Sequence, residues 1–118
     1  MREILFRGKD VKEHWHIGLL AHVGNAWYIS NSAGIPTACE VIPSTIGEYT
    51  GLRDKNGKMI FEGDVVLLKS DEEPYQVAFD ECCFQVYSHS VCYVMDKFYD
   101  HDIEVIGNIH DNPELLEG

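Results

Sequence analysis

Two histidines one residue apart, His14 and His16 around Trp15, would stand on one face of an extended strand and supply half of a metal site. Completing it needs a carboxylate such as Asp100 or Asp102 carried close by the fold, and the spacing does not fix that; the plainer reading is a solvated strand face. The cysteines are Cys39, Cys82, Cys83 and Cys92, with no Cys-x-x-Cys pair, so with His89 they lack the paired spacing of structural zinc. Cys83 and Cys92 flank an expected hairpin with His89-Ser90 at its tip. That register sets Cys92 opposite Tyr87 and leaves Cys83 about 13 Å further along, beyond the roughly 7 Å a disulfide can bridge between Cα atoms. Free thiols in a reducing compartment are expected. In Asp100-His101-Asp102, neighbouring side chains of a strand point apart, and no nucleophile elbow is visible. Gly51, Gly57 and Gly63 serve turns rather than cradle a phosphate. The residues therefore predict no catalytic set, no metal ligands and no cofactor.

The elements that must position these groups are organised around the stretch from Glu48 to Val66. Asn56-Gly57 predicts a two-residue type I′ hairpin flanked by Lys55 and Lys58. Asp54 then faces Met59, Arg53 faces Ile60 and Leu52 faces Phe61. Leu52, Met59 and Phe61 share a core face, with Arg53, Lys55 and Lys58 on the other. Glu62-Gly63-Asp64 turns the chain into a strand from Val65 to Lys69.

Elsewhere, alternation predicts strands over residues 2–7, 14–20, 26–30, 75–79, 83–87, 91–95 and 103–109, the last interrupted at Gly107-Asn108. Lys9 to Glu13 reads as a charged connector, residues 31–36 as a breaker-rich loop, and Pro43 as a residue between strands. Residues 96–102 read as a helical turn or corner. Asn112 and Pro113 fit the cap and first position of a short helix through Glu117. The aromatic residues Trp15, Trp27, Tyr28, Tyr49, Phe61, Tyr75 and Phe79 fall mostly at strand positions and read as core. The fold class is mainly β: a small SH3-like barrel over residues 45–109, an N-terminal β extension or second sheet layer over 1–44, and a tail with a short helix over 110–118, all one domain.

With 118 residues and 45% hydrophobic content, the chain suits one globular domain that buries a core. No apolar run reaches the roughly 18 residues of a membrane span, and the charged N-terminal stretch does not read as a signal peptide, so a cytoplasmic protein is expected. Net charge is −11, and its placement is uneven: residues 1–70 hold eight basic and eight acidic groups, residues 71–118 twelve acidic groups and Lys97. Such an excess repels phosphates and favours basic partners, or else only confers solubility.

Four blocks resemble the YopX family of small phage- and prophage-encoded proteins. They are Met1 to Gly8, Val41 to Lys58, Ile60 to Val66 and Glu104 to Leu115, in that order; residues 9–40 and 68–102 match only loosely. The resemblance implies a phage-derived protein acting in a bacterial cytoplasm and carries no established activity with it. The combined reading is a non-catalytic accessory protein that binds a phage or host protein, with self-association through unpaired strand edges. Candidate binding residues are Tyr49, Arg53, Asp64, Asp71, Glu72 and Glu73. Two alternatives stand beside it: a nucleic-acid-binding barrel using Arg53, Lys55 and Lys58 with Arg2 and Arg7, and a metal-dependent hydrolase built on His14, His16 and the acidic cluster.

Overall fold

The computed structural model describes residues 4–30, 38–68, 74–80, 83–88, 92–94 and 103–116. The architecture is mainly β. Eleven strands are described: β1 Phe6–Lys9, β2 Trp15–Val23, β3 Ala26–Ser30, β4 Ala38–Val41, β5 Gly47–Arg53, β6 Met59–Phe61, β7 Asp64–Leu68, β8 Tyr75–Asp80, β9 Cys83–Tyr87, β10 Cys92–Val94 and β11 Ile103–Asn108. The chain forms two compact units, Met1–Tyr49 and Thr50–Gly118, with β5 running from one into the other.

In the N-terminal unit the ladder order is β4-β3-β2-β1, and the first residues of β5 pair with β1. Asp10 shapes its first hairpin. Its N–H donates to the His14 carbonyl at 3.0 Å, and its own carbonyl accepts from Glu13 N–H at 3.0 Å. Its Oδ1 accepts the N–H groups of Lys12 at 2.8 Å and His14 at 2.9 Å. This holds Glu13 in the left-handed region at φ 69°, a conformation that costs a side-chain-bearing residue about 1–2 kcal/mol. The residues expected to form a charged connector are thus a built turn, and β1 runs on to Lys9 instead of ending at Arg7. Beyond β4, Pro43–Thr45 makes a 3₁₀ turn docked on β1: Lys9 N–H donates to Thr45 Oγ1 at 2.9 Å and Ile42 N–H to the Lys9 carbonyl at 2.7 Å. Gly8 permits the approach, since a Cβ there would lie 2.9 Å from Val41 Cβ. Among the described residues of this unit, Ile29, Val41 and Tyr49 are the buried apolar side chains.

In the C-terminal unit the remainder of β5 pairs with β6, and a five-stranded antiparallel sheet runs β10-β9-β8-β7-β11. Its core is Ile60, Val66, Tyr75, Val77, Val86 and Ile103, with Leu52, Leu68, Phe84 and Val105 packed against it. Among the described residues no sheet closes on itself: β10 and β11 are the two ends of their ladder, so the expected SH3-like barrel is not seen. Cys92 does pair with Tyr87, as the hairpin register requires. The interruption near Gly107 is a bulge, with Val105 opposite Val66 and Gly107 opposite Val65.

The Asn56-Gly57 turn is not type I′. Gly57 has φ +83°, whereas Asn56 is not left-handed. Gly57 N–H donates to the Asp54 carbonyl at 2.9 Å and Asp54 N–H to the Lys58 carbonyl at 2.8 Å, which makes a type I turn followed by a glycine bulge. Asp54 therefore faces Lys58 rather than Met59. A one-residue slip exchanges faces, so Ile60 joins Leu52 at the core in place of Met59. The cause is the Asp54 carboxylate. Its Oδ1 accepts from Asn56 and Lys58 N–H at 2.9 Å each, and its Oδ2 from Val105 N–H at 3.0 Å. Among the described residues toward the C-terminus no α-helix is seen. Residues Pro113–Leu116 make a 3₁₀ turn, and Asn112 Oδ1 accepts from Asn108 N–H at 3.3 Å rather than capping a helix.

Candidate functional site

Strand β2 is nine residues long, and its two faces differ. Gly18 is buried on one face, while Ile17, Leu19 and Val23 on the other are 45%, 56% and 65% exposed. Antiparallel register sets Leu19 opposite Ser30, Ala21 opposite Tyr28 and Val23 opposite Ala26; across the next ladder Ser30 meets Ala38 and Tyr28 meets Glu40. Over these three strands that face carries one carboxylate, Glu40, and otherwise apolar or uncharged side chains. Strand β4 ends the ladder, with Ala38, Cys39 and Glu40 exposed, and Cys39 is a free thiol. An exposed apolar row on a face that runs out to a terminal strand suits contact with another polypeptide, through side-chain burial and through backbone groups that no described strand pairs.

The opposite face holds the histidine cluster. His16 Nε2 donates to Asp10 Oδ2 at 2.8 Å, and His14 Nδ1 lies 3.8 Å from the same oxygen. The hydrogen bond from His16, reinforced by that of the His14 backbone, lowers the Asp10 pKa to about 2. The two histidines do meet a carboxylate, but it is Asp10; Asp100 and Asp102 lie outside the described residues. Both Asp10 oxygens are engaged within the hairpin. No group of three or more histidine, cysteine, aspartate or glutamate side chains able to hold a metal occurs among the described residues. At the far end of the same strand, in the β2–β3 hairpin, His22 stacks on Trp27, with ring centroids 4.0 Å apart and planes within 1°.

The six candidate binding residues scatter. Tyr49 and Asp64 are 4% and 1% exposed, so neither presents its side chain to a partner. Asp64 Oδ2 accepts Phe61 N–H at 2.8 Å, closing the turn into β7. Arg53 is exposed but donates from Nη1 to the Gly57 carbonyl at 2.9 Å, bracing its own turn. Asp71, Glu72 and Glu73 lie outside the described residues. The basic set is divided as well: Lys55 pairs with Glu104 at 3.4 Å, Arg7 is buried with its guanidinium 4.7 Å from the Trp15 ring centre, and Arg2 is outside the described residues. The β2 row was missed because Ile17 and Leu19 read as ordinary strand residues and Val23 fell beyond the expected strand end at residue 20, whereas β2 runs on to Val23; the signal available was apolar character at alternate positions with no charge among them.

No helix of the described residues is long and apolar enough to cross a membrane. The sequence model of the family described as YopX protein matches residues 6–117. Among solved structures the chain is similar to the crystal structure of protein EF1440 from Enterococcus faecalis, with 26% identity, a TM-score of 0.66, and coverage of 99% of this chain and 100% of that one. No curated protein is significantly similar in sequence.

Proposed function

The chain belongs to the YopX family, and from that premise we propose that it is a phage or prophage accessory protein that binds a protein partner in the bacterial cytoplasm without catalysing a reaction. The observation that carries the reading is the row of Ile17, Leu19 and Val23 on β2, on a sheet face that continues through β3 to the terminal strand β4. Burying that row removes apolar surface from water at about 25 cal/mol per Å² and desolvates a single carboxylate, Glu40. A second copy of the chain is one such partner, since one patch serves both sides of a two-fold contact.

The acidic segment Asp71, Glu72 and Glu73 offers a different route to a basic partner, and salt separates the two. Capture by the tagged protein from lysogenic cells is measured between about 0.05 and 0.5 M salt, a range over which the Debye length falls severalfold. Capture that persists at high salt and survives neutralisation of the three carboxylates supports the apolar surface. Loss under both conditions transfers the role to the acidic segment. The nucleic-acid reading draws little support, because Arg7 is buried and Lys55 and Arg53 are engaged within the protein. Recovery of nuclease-sensitive nucleic acid in the same experiment would favour it.

A further inference from the structure

We propose that Asn56 is a site of spontaneous deamidation, and that Asp54 is the latch that keeps the reaction slow. The proposal is independent of the partner-binding reading. Asn followed by Gly is the dipeptide in which a side-chain amide is attacked most readily by the next backbone nitrogen, because glycine offers no Cβ to obstruct it. Here both residues are exposed, and nothing lies within 4 Å of the position a Gly57 Cβ would take.

In the reaction the Gly57 nitrogen loses its proton and bonds to Asn56 Cγ, and the side-chain amide leaves as ammonia. Water then opens the cyclic imide to aspartate or isoaspartate. The folded turn opposes the first step at two points. Gly57 N–H donates to the Asp54 carbonyl at 2.9 Å, so the nucleophile is engaged. Asn56 N–H donates to Asp54 Oδ1 at 2.9 Å, which fixes the residue whose rotation the attack requires. Asp54 is itself anchored by Val105 N–H at 3.0 Å, so the latch is as firm as β11. The matching turn at Asp10 holds Lys12 and Glu13 at the equivalent positions and contains no labile amide. Conversion adds a negative charge beside Asp54, and the isoaspartate product lengthens the backbone inside a turn whose N–H groups are all placed. The modification is therefore one-way and loosens the hairpin from β11.

The test incubates the folded chain at mildly alkaline pH and follows amide-to-acid conversion at Asn56 by peptide mass mapping, with an isoaspartate assay. Folded wild type should convert at least about tenfold more slowly than the same chain unfolded in urea, as expected of a loop that reacts only when open. Asp54→Ala, assayed where circular dichroism shows it folded, should convert nearly as fast as the unfolded chain. Hydrogen exchange on wild type provides the second readout: the Gly57 amide should be protected, and its exchange and deamidation should accelerate together in sub-denaturing urea. Equal rates in folded and unfolded wild type, an unprotected Gly57 amide, or a folded Asp54→Ala chain as slow as wild type would each overturn the proposal.

Discussion

Asp10 and Asp54 close their turns with the same four hydrogen bonds. Each donates its N–H to the carbonyl four residues on, accepts the N–H three residues on, and receives the second and fourth N–H groups on Oδ1. The turns differ at the left-handed position, which is Glu13 at φ 69° in one and Gly57 at φ +83° in the other. Glycine takes this conformation without steric penalty, and its extra freedom in the unfolded chain offsets part of the gain. Glu13→Gly should therefore stabilise the protein by about 0.5 kcal/mol, while Gly57→Val should destabilise it by about 1–2 kcal/mol. Urea denaturation of both variants checks this, and a destabilised Glu13→Gly would refute the equivalence.

The Asp54 carboxylate should be the more costly of the two to lose through burial. It is 5% exposed and satisfies three backbone N–H groups, one of them on β11. Orphaning such donors costs about 1–3 kcal/mol, so Asp54→Ala should lower stability by at least that range's midpoint, about 2 kcal/mol. The measurement is chemical denaturation, and an unchanged midpoint would contradict the latch.

Acid should weaken the fold through the same two residues. Burial alone would raise the Asp54 pKa, but the N–H groups of Val105, Lys58 and Asn56, with the Lys58 charge, outweigh it and the net shift is downward. Asp10 is lowered to about 2, chiefly by His16. Folded values below the unfolded ones mean that the stabilisation is fully present above the unfolded carboxylate pKa of about 3.9 and is lost as pH falls through the folded values. Stability from these groups should thus be flat above about pH 5 and fall progressively toward pH 2. In the double variant Asp10→Asn, Asp54→Asn the acid slope should shrink; an unaltered slope would assign acid sensitivity to other groups.

Packing around the two close-approach glycines gives another check. A Cβ at Gly107 would sit 2.6 Å from Asn112 Oδ1 and 2.8 Å from Leu115 Cδ1, and at Gly8 2.9 Å from Val41 Cβ. Overpacking of this kind costs about 1–3 kcal/mol. Gly8→Ala should be the worse of the two, because its neighbour is a buried strand residue while Leu115 belongs to a short terminal turn. Thermal melts of both variants test the ranking.

Much of the fold was legible where a local rule decided the outcome. Strand β9 begins and ends where its alternation does, Cys92 meets Tyr87, and Gly24 turns β2 into β3 at φ +62°. The rules failed where one carboxylate claimed several backbone groups. Asp54 extended its loop by one residue and so moved Ile60 into the core; Asp10 converted a charged connector into a turn and gave the histidines their partner. A short polar side chain that hydrogen-bonds two residues onward was the available signal in both. The site was less legible. Alternation in β2 predicts two unlike faces but not which one is covered, because that depends on packing far along the chain. Asp64 was offered as a binding residue for the same reason and is buried; Tyr49, read as core and also named as a candidate contact, takes the core position.

The most direct test of partner binding compares tagged wild type with the double variant Ile17→Asp, Leu19→Asp in capture from lysogenic cells, with nuclease treatment and with circular dichroism and melting confirming that both are folded. Both side chains are about half exposed, so the substitutions should leave the core intact. Wild type should retain a defined protein in constant ratio, either another species or a second copy, at high salt and after nuclease; the variant should lose it. Equal retention by both proteins would contradict a partner surface on β2.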